Sequence, residues 1–105
     1  MFESGHNLTA EAYRDLPESV QRIDVREPWE HDLAHLPGAL LIPLGELSAR
    51  LDELDPARPV AAYCHHGGRS MQALRILLSA GFRDIAHLAG GINAYSRLDP
   101  TVPRY

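Results

Sequence analysis

The chain has one cysteine, Cys64, which heads the run Tyr63-Cys64-His65-His66-Gly67-Gly68-Arg69-Ser70. A short apolar stretch, Pro59 to Tyr63, precedes the run and an amphipathic one, Ser70 to Ala80, follows it. The run is therefore a turn between a buried strand and a helix, where open α/β sheets bind their ligands. Gly67 and Gly68 let the backbone curl with its amides inward, and the next helix adds positive potential at its first turn. Such a cradle favours a thiolate at Cys64, expected to face Arg69, and a thiolate is the nucleophilic form. Its covalent adduct rests as an anion among the same amides, and no general base on the protein is required. The alternative is an inert thiol packed as a small hydrophobe.

Other side chains have two readings each. His65 and His66, if protonated, raise the positive charge of the loop, and activity toward a dianionic donor then weakens as they deprotonate. As consecutive loop residues they read more simply as solvated, neutral imidazoles. Neighbours in so tight a turn do not converge on one tetrahedral ion, so no metal is expected at Cys64, His65 and His66. Asp24 and Arg26 fall at the carboxyl end of another expected strand, Val20 to Val25. Asp24 is expected to support the following turn by accepting backbone hydrogen bonds. Arg26 either pairs with a carboxylate such as Glu27 or Glu30 or draws an anion at the pocket rim. Trp29 is expected to pack on the core.

Composition bounds the rest. With 105 residues the chain can bury one modest core, so a single domain over residues 1–105 is expected. A net charge of -4, with no lysine or arginine stripe, argues against nucleic acid as a partner. No apolar run approaches the ~20 residues of a membrane span and the first residues lack the pattern of a secretory signal, so no membrane and a cytoplasmic location are expected. A lone cysteine makes no internal disulfide, and no CxxC pair offers a structural zinc site.

Short branched apolar runs alternate with longer amphipathic ones, the pattern of a parallel sheet covered by helices. Helices are expected over Leu8 to Leu16, capped by Thr9, over Gly45 to Leu54, over Ser70 to Ala80 with Leu74, Leu77 and Leu78 on one face, and over Ile92 to Leu98. A short one can start at Pro28. Strands are expected over Val20 to Val25, Ala39 to Ile42, Pro59 to Tyr63 and Asp84 to Leu88. Gly90, Gly91 and Asn93 read as turn and packing residues.

Cys64 to Ser70 has the form C-x-x-G-x-R-S, and with Ile23-Asp24-Val25-Arg26-Glu27, Ala34-His35-Leu36-Pro37-Gly38-Ala39 and Gly90-Gly91-Ile92 it resembles the rhodanese family from Val20 to about Leu98. The resemblance implies a three-layer α/β fold, with a central, mostly parallel sheet of four to five strands and helices on both faces. It implies a sulfurtransferase that carries sulfane sulfur as a persulfide on the catalytic Cys64, from a small donor such as thiosulfate to cyanide, a thiol or a protein acceptor. His65, His66, Gly67, Gly68, Arg69, Ser70 and Arg26 would surround the substrate, with Asp24 in support and no cofactor. His35 would tie its loop to the sheet, and Tyr95 stands where many relatives have tryptophan. Phosphatase relatives of the cell-division-cycle type use five residues between cysteine and arginine; four stand here, which by resemblance sizes the cavity for sulfur. A non-catalytic or redox-sensing binding module, and an oxyanion phosphatase or arsenate reductase, are the competing readings.

Overall fold

The computed structural model describes residues 1–2 and 5–105. Five strands, β1 (His6–Leu8), β2 (Gln21–Asp24), β3 (Ala39–Leu41), β4 (Val60–Tyr63) and β5 (Ile85–Leu88), form one parallel sheet in the order β1-β5-β4-β2-β3. Four α-helices, α1 (Ala10–Arg14), α2 (Pro28–Leu33), α3 (Gly68–Ser79) and α4 (Gly91–Leu98), complete the α/β fold. The central β4 is buried at every residue, which is why Val60-Ala61-Ala62-Tyr63 reads as continuously apolar rather than alternating. Its odd and even residues feed two cores. Ala61 and Tyr63 pack with Tyr13, Ile92 and Tyr95 on one face; Val60, Ala62 and Cys64 pack with Ala73, Leu74 and Leu77 on the other. No helix among the described residues is long and apolar enough to cross a membrane.

Several expected elements shift. Thr9 caps α1, accepting the Ala12 amide at 3.1 Å, so Leu8 lies before the helix. It belongs to β1, an edge strand that sequence reading missed because His-Asn-Leu carries neither β-branched residues nor alternation. The stretch expected as one helix from Gly45 to Leu54 is instead two 3₁₀ segments, Leu44–Ala49 and Leu51–Glu53, broken at Arg50. Gly45 and Ser48 are weak helix formers, and the tighter turn puts Leu44 and Leu47 on one face. Leu47 and Leu54 still enter the core. Leu78, expected on the apolar face of α3, is 41% exposed. Trp29, expected in the core, is 62% exposed: α2 turns Glu30 inward instead, for a reason found in its ion pair below.

The carboxyl ends of β2 and β4 are joined by a buried polar cluster. Arg26, with no exposed surface, donates to both oxygens of Asp24 at 2.8 and 2.7 Å, to the Ala34 carbonyl at 2.7 Å and to the Tyr105 hydroxyl at 2.6 Å. Register sets Asp24 beside Tyr63, whose hydroxyl donates to Asp24 at 3.0 Å and accepts the Leu36 amide at 3.0 Å. His31 Nδ1 lies 3.0 Å from the same carboxylate. Asp24 also accepts the Arg26 amide at 3.0 Å, the backbone bond expected of it. Arg26 is thus not at a pocket rim, and its carboxylate is Asp24 rather than Glu27 or Glu30.

Removing one partner leaves a buried, uncompensated charge, so Asp24→Ala is expected to destabilise the fold by about 3–5 kcal/mol in urea titration. Burial alone would raise the Asp24 pKa, but its hydrogen bonds from Arg26 and His31 outweigh this and hold it below the usual carboxylate range. The sign follows: the contribution is complete above the unfolded value of ~3.9 and is lost as pH falls through the lower folded value. The stability gap between wild type and Asp24→Asn should therefore be wide at neutral pH and narrow only below about pH 4.

Candidate active site

Cys64 follows the last residue of β4 and is 1% exposed. The loop from Cys64 to Gly67 is held by α4, not only by its own strand and helix. At the start of α4 the amides of Ile92 and Asn93 donate to the carbonyls of Cys64 and His65 at 2.9 and 3.1 Å. Those amides are the unpaired donors of a helix N-terminus, so each bond satisfies both partners. The amides that meet the sulfur come further along the loop and from the first turn of α3. Gly67 N donates to Cys64 Sγ at 3.0 Å and Ser70 N at 3.3 Å.

Two glycines make this geometry accessible. Gly67 has φ +116°, and a β-carbon there would strike the Ala89 carbonyl. Gly91 has φ +65°, and a β-carbon there would strike the carbonyls of His65 and Cys64. Only glycine combines that backbone with so close an approach.

The side chains expected around the thiol are distributed as follows. The Ser70 hydroxyl lies 3.5 Å from Sγ. Arg69 does not direct its guanidinium to sulfur through a hydrogen bond; it forms a two-pronged pair with Glu30, Nη1 to Oε1 at 2.6 Å and Nη2 to Oε2 at 2.9 Å. The Arg69 pair holds the Glu30 pKa down at about 2, so Glu30 is charged and offsets the arginine. This is why α2 buries a glutamate and exposes Trp29. Glu30 also accepts the Tyr105 hydroxyl at 2.8 Å and the Glu27 amide at 3.1 Å.

His65 is stacked between His66, centroids 4.0 Å apart, and Tyr105, 4.1 Å apart at 11°. Burial, then the neighbouring His66, pushes the His65 pKa below the usual histidine range, so His65 is neutral at neutral pH. His35 donates from Nδ1 to the His31 carbonyl, 2.8 Å away, and stacks on His31; it closes the end of α2 instead of tying the loop to the sheet. Tyr95 is core, edge-on to Tyr13. Among the described residues no group of three or more His, Cys, Asp and Glu side chains is placed to hold a metal ion.

Four residues of the site escaped sequence reading: Asn7, Tyr63, His87 and Tyr105. His87 is buried between α3 and the sheet, 2.8 Å from the Ser70 hydroxyl through Nδ1 and 3.0 Å from Asn7 Oδ1 through Nε2. A histidine inside the apolar run Ile85-Ala86-His87-Leu88 was the available signal. Tyr105 gave none, because its contacts span the sequence from the tail to Arg26 and Glu30.

Known proteins resemble the chain throughout this region. The rhodanese-like domain family profile matches residues 9–98. A sulfurtransferase of Allochromatium vinosum is 36% identical over 80 residues, covering 76% of this chain and 75% of that protein. The putative sulfur carrier protein YrkF of Bacillus subtilis is 35% identical over 92 residues, 85% of this chain and 50% of its own length. A chloroplastic rhodanese-like/PpiC domain-containing protein of Arabidopsis thaliana is 40% identical over 93 residues, 84% of this chain and 31% of its own length. The chain thus spans half or less of the two longer relatives. Among solved structures, a rhodanese-related protein of Thermoplasma volcanium superposes with a TM-score of 0.82 at 26% identity, over 90% of this chain and 93% of that one.

The packing of Gly91 on the loop carbonyls generates a direct test. Gly91→Ala is expected to lower stability by about 1–3 kcal/mol in urea titration, through strain at positive φ and the displaced loop. An unchanged midpoint would show that the loop does not depend on this contact.

Proposed function

The chain belongs to the rhodanese-like domain family, and from that premise we propose that it is a single-domain sulfurtransferase carrying sulfane sulfur as a persulfide on Cys64. The observation that carries this reading is the convergence of the Gly67 and Ser70 amides on Cys64 Sγ in a loop of four residues between cysteine and arginine. Relatives named sulfurtransferase and sulfur carrier point the same way.

In the proposed reaction the Cys64 thiolate attacks the sulfane sulfur of a donor such as thiosulfate. A sulfur–sulfur bond forms to Cys64, the donor's own sulfur–sulfur bond breaks, and sulfite leaves with the electron pair. The persulfide anion is solvated by the loop amides, which are fixed before reaction and need no reorganisation. A thiolate or cyanide acceptor then attacks the outer sulfur, takes it, and returns Cys64 to the thiolate. Asp24 and Arg26 support this chemistry from beneath, by locking the strand ends. His65, His66 and Gly68 complete the turn between Cys64 and Arg69.

Incubation with thiosulfate, removal of excess donor and intact mass measurement test the mechanism. One added sulfur is expected, absent in Cys64→Ser. Failure with thiosulfate, 3-mercaptopyruvate and polysulfide alike would favour a binding or redox-sensing module, and Cys64-dependent hydrolysis of an aryl phosphate would favour the oxyanion reading.

The Glu30–Arg69 pair makes a second prediction. With its charge offset by Glu30, Arg69 attracts a dianionic donor weakly. Glu30→Gln should lower KM for thiosulfate severalfold and Arg69→Gln should raise it, measured by steady-state kinetics. Equal effects of the two substitutions would place the pair in structure alone.

A further inference from the structure

From Cys64 runs a line of side chains that the proposed reaction has not used. Cys64 Sγ lies 3.5 Å from Ser70 Oγ, Ser70 Oγ lies 2.8 Å from His87 Nδ1, and His87 Nε2 lies 3.0 Å from Asn7 Oδ1. Cys64, Ser70 and His87 are 1%, 0% and 2% exposed. Strand register produces the far end of the line: Asn7 of β1 pairs directly with His87 of β5.

The donor and acceptor inventory fixes the direction of each bond. The Asn7 oxygen only accepts, so Nε2 carries a hydrogen and donates to it. Burial pushes the His87 pKa below the usual histidine range, so the resting ring is neutral and Nδ1 has a free lone pair. Ser70 then donates its hydroxyl hydrogen to Nδ1 and offers its own lone pair to the Cys64 thiol. The Gly67 carbonyl, 3.1 Å from Ser70 Oγ, competes for the same hydrogen.

We propose that His87, acting through Ser70, is the proton acceptor for Cys64 and a positioning residue for the sulfur chemistry. The step conserves every atom. The Cys64 S–H bond breaks and its proton passes to Ser70 Oγ, while the Ser70 proton passes to His87 Nδ1. The products are a Cys64 thiolate, a Ser70 hydroxyl now donating to sulfur, and an imidazolium donating from Nδ1 to Ser70 and from Nε2 to Asn7. Every hydrogen bond in the line is kept, with the two Ser70 bonds reversed. A buried imidazolium alone is disfavoured, but it forms here only together with a thiolate two bonds away, and the pair is neutral overall.

On the loop side of the line stand His65 and His66 on the loop, Arg69 on α3 with Glu30 of α2 bound to it, and Arg26 and Tyr105 beyond. Among the described residues the His87 ring is hydrogen-bonded to Ser70 and Asn7, and burial rather than a neighbouring charge is what shifts it.

The inference rests on the sulfur-transfer reading for its purpose but not for its test. Iodoacetamide alkylation of Cys64, followed by intact mass from about pH 5 to about pH 10, needs no sulfur donor. His87→Gln and Ser70→Ala should slow alkylation roughly tenfold or more near pH 7 and rejoin wild type near pH 10, where solvent hydroxide removes the proton, while Ser70→Thr keeps the wild-type profile. Slowing by the same factor at every pH, or no slowing, overturns the proposal. Ring ¹⁵N spectra of His87 provide a readout without altering the line at His87: the imidazolium should persist to higher pH in wild type than in Cys64→Ala, and identical titration in both overturns it. A protein that takes no sulfur yet shows these shifts would refute sulfur transfer and retain the relay; sulfur uptake with unshifted profiles would do the reverse.

Discussion

The buried pair of Asp24 and Arg26 is the constraint on which the rest of the carboxyl edge depends. Two charges removed from water cost several kcal/mol each unless every donor and acceptor is met. Here they are met by β4 through Tyr63, by α2 through His31 and the Ala34 carbonyl, and by the tail through Tyr105. The pair is therefore not an isolated bond but the place where β2, β4, α2 and the chain end are referenced to one another. Tyr63 precedes Cys64, so the backbone that launches the reactive loop is anchored by that cluster. Glu30 and Tyr105 carry the same reference outward to Arg69 and His65.

From this anchored edge the loop acquires its polarity. Binding of the Cys64 and His65 carbonyls by α4 fixes the first two peptide units of the loop, and the amides that reach sulfur come further along, from Gly67 and Ser70. Gly91 permits that approach from one side and Gly67 permits the reversal of the chain from the other. Both are positions where a side chain would meet backbone, not a flexible neighbour that could move away.

Much of this was legible in the sequence, for local reasons. The strand–turn–helix around Cys64, the capping Thr9, Pro28 at the start of α2 and four of five strands follow from periodicity and turn chemistry over a few residues. Asp24 as acceptor of the Arg26 amide is equally local. What escaped depended on partners distant in sequence. β1 is three residues long and exists because β5 pairs with it. Trp29 is exposed because Glu30 has Arg69, 39 positions away, to bury against. The 3₁₀ turns replaced a helix whose leucine spacing was read correctly, because Gly45 and Ser48 weakened the α form that the same leucines would also have served.

The charge balance of the site bears on which chemistry it favours. The cation five positions after Cys64 is already paired, and the histidine next to the sulfur is held neutral by burial, so the sulfur anion of the proposed reaction would be met chiefly by backbone dipoles. Amide dipoles suit a soft, singly charged sulfur anion, whose charge sits on one atom within their reach. A phosphate dianion spreads its charge over several oxygens and calls for both a longer ring of amides and a free guanidinium to grip two of them. The two amides observed on Sγ are already committed to sulfur, and the guanidinium is committed to Glu30. Releasing Arg69 for an oxyanion would strand Glu30, 3% exposed, with its charge uncompensated except by Tyr105 and one backbone amide. The cost of that exchange weighs on the side of sulfur, and it arises from α2 rather than from the length of the loop.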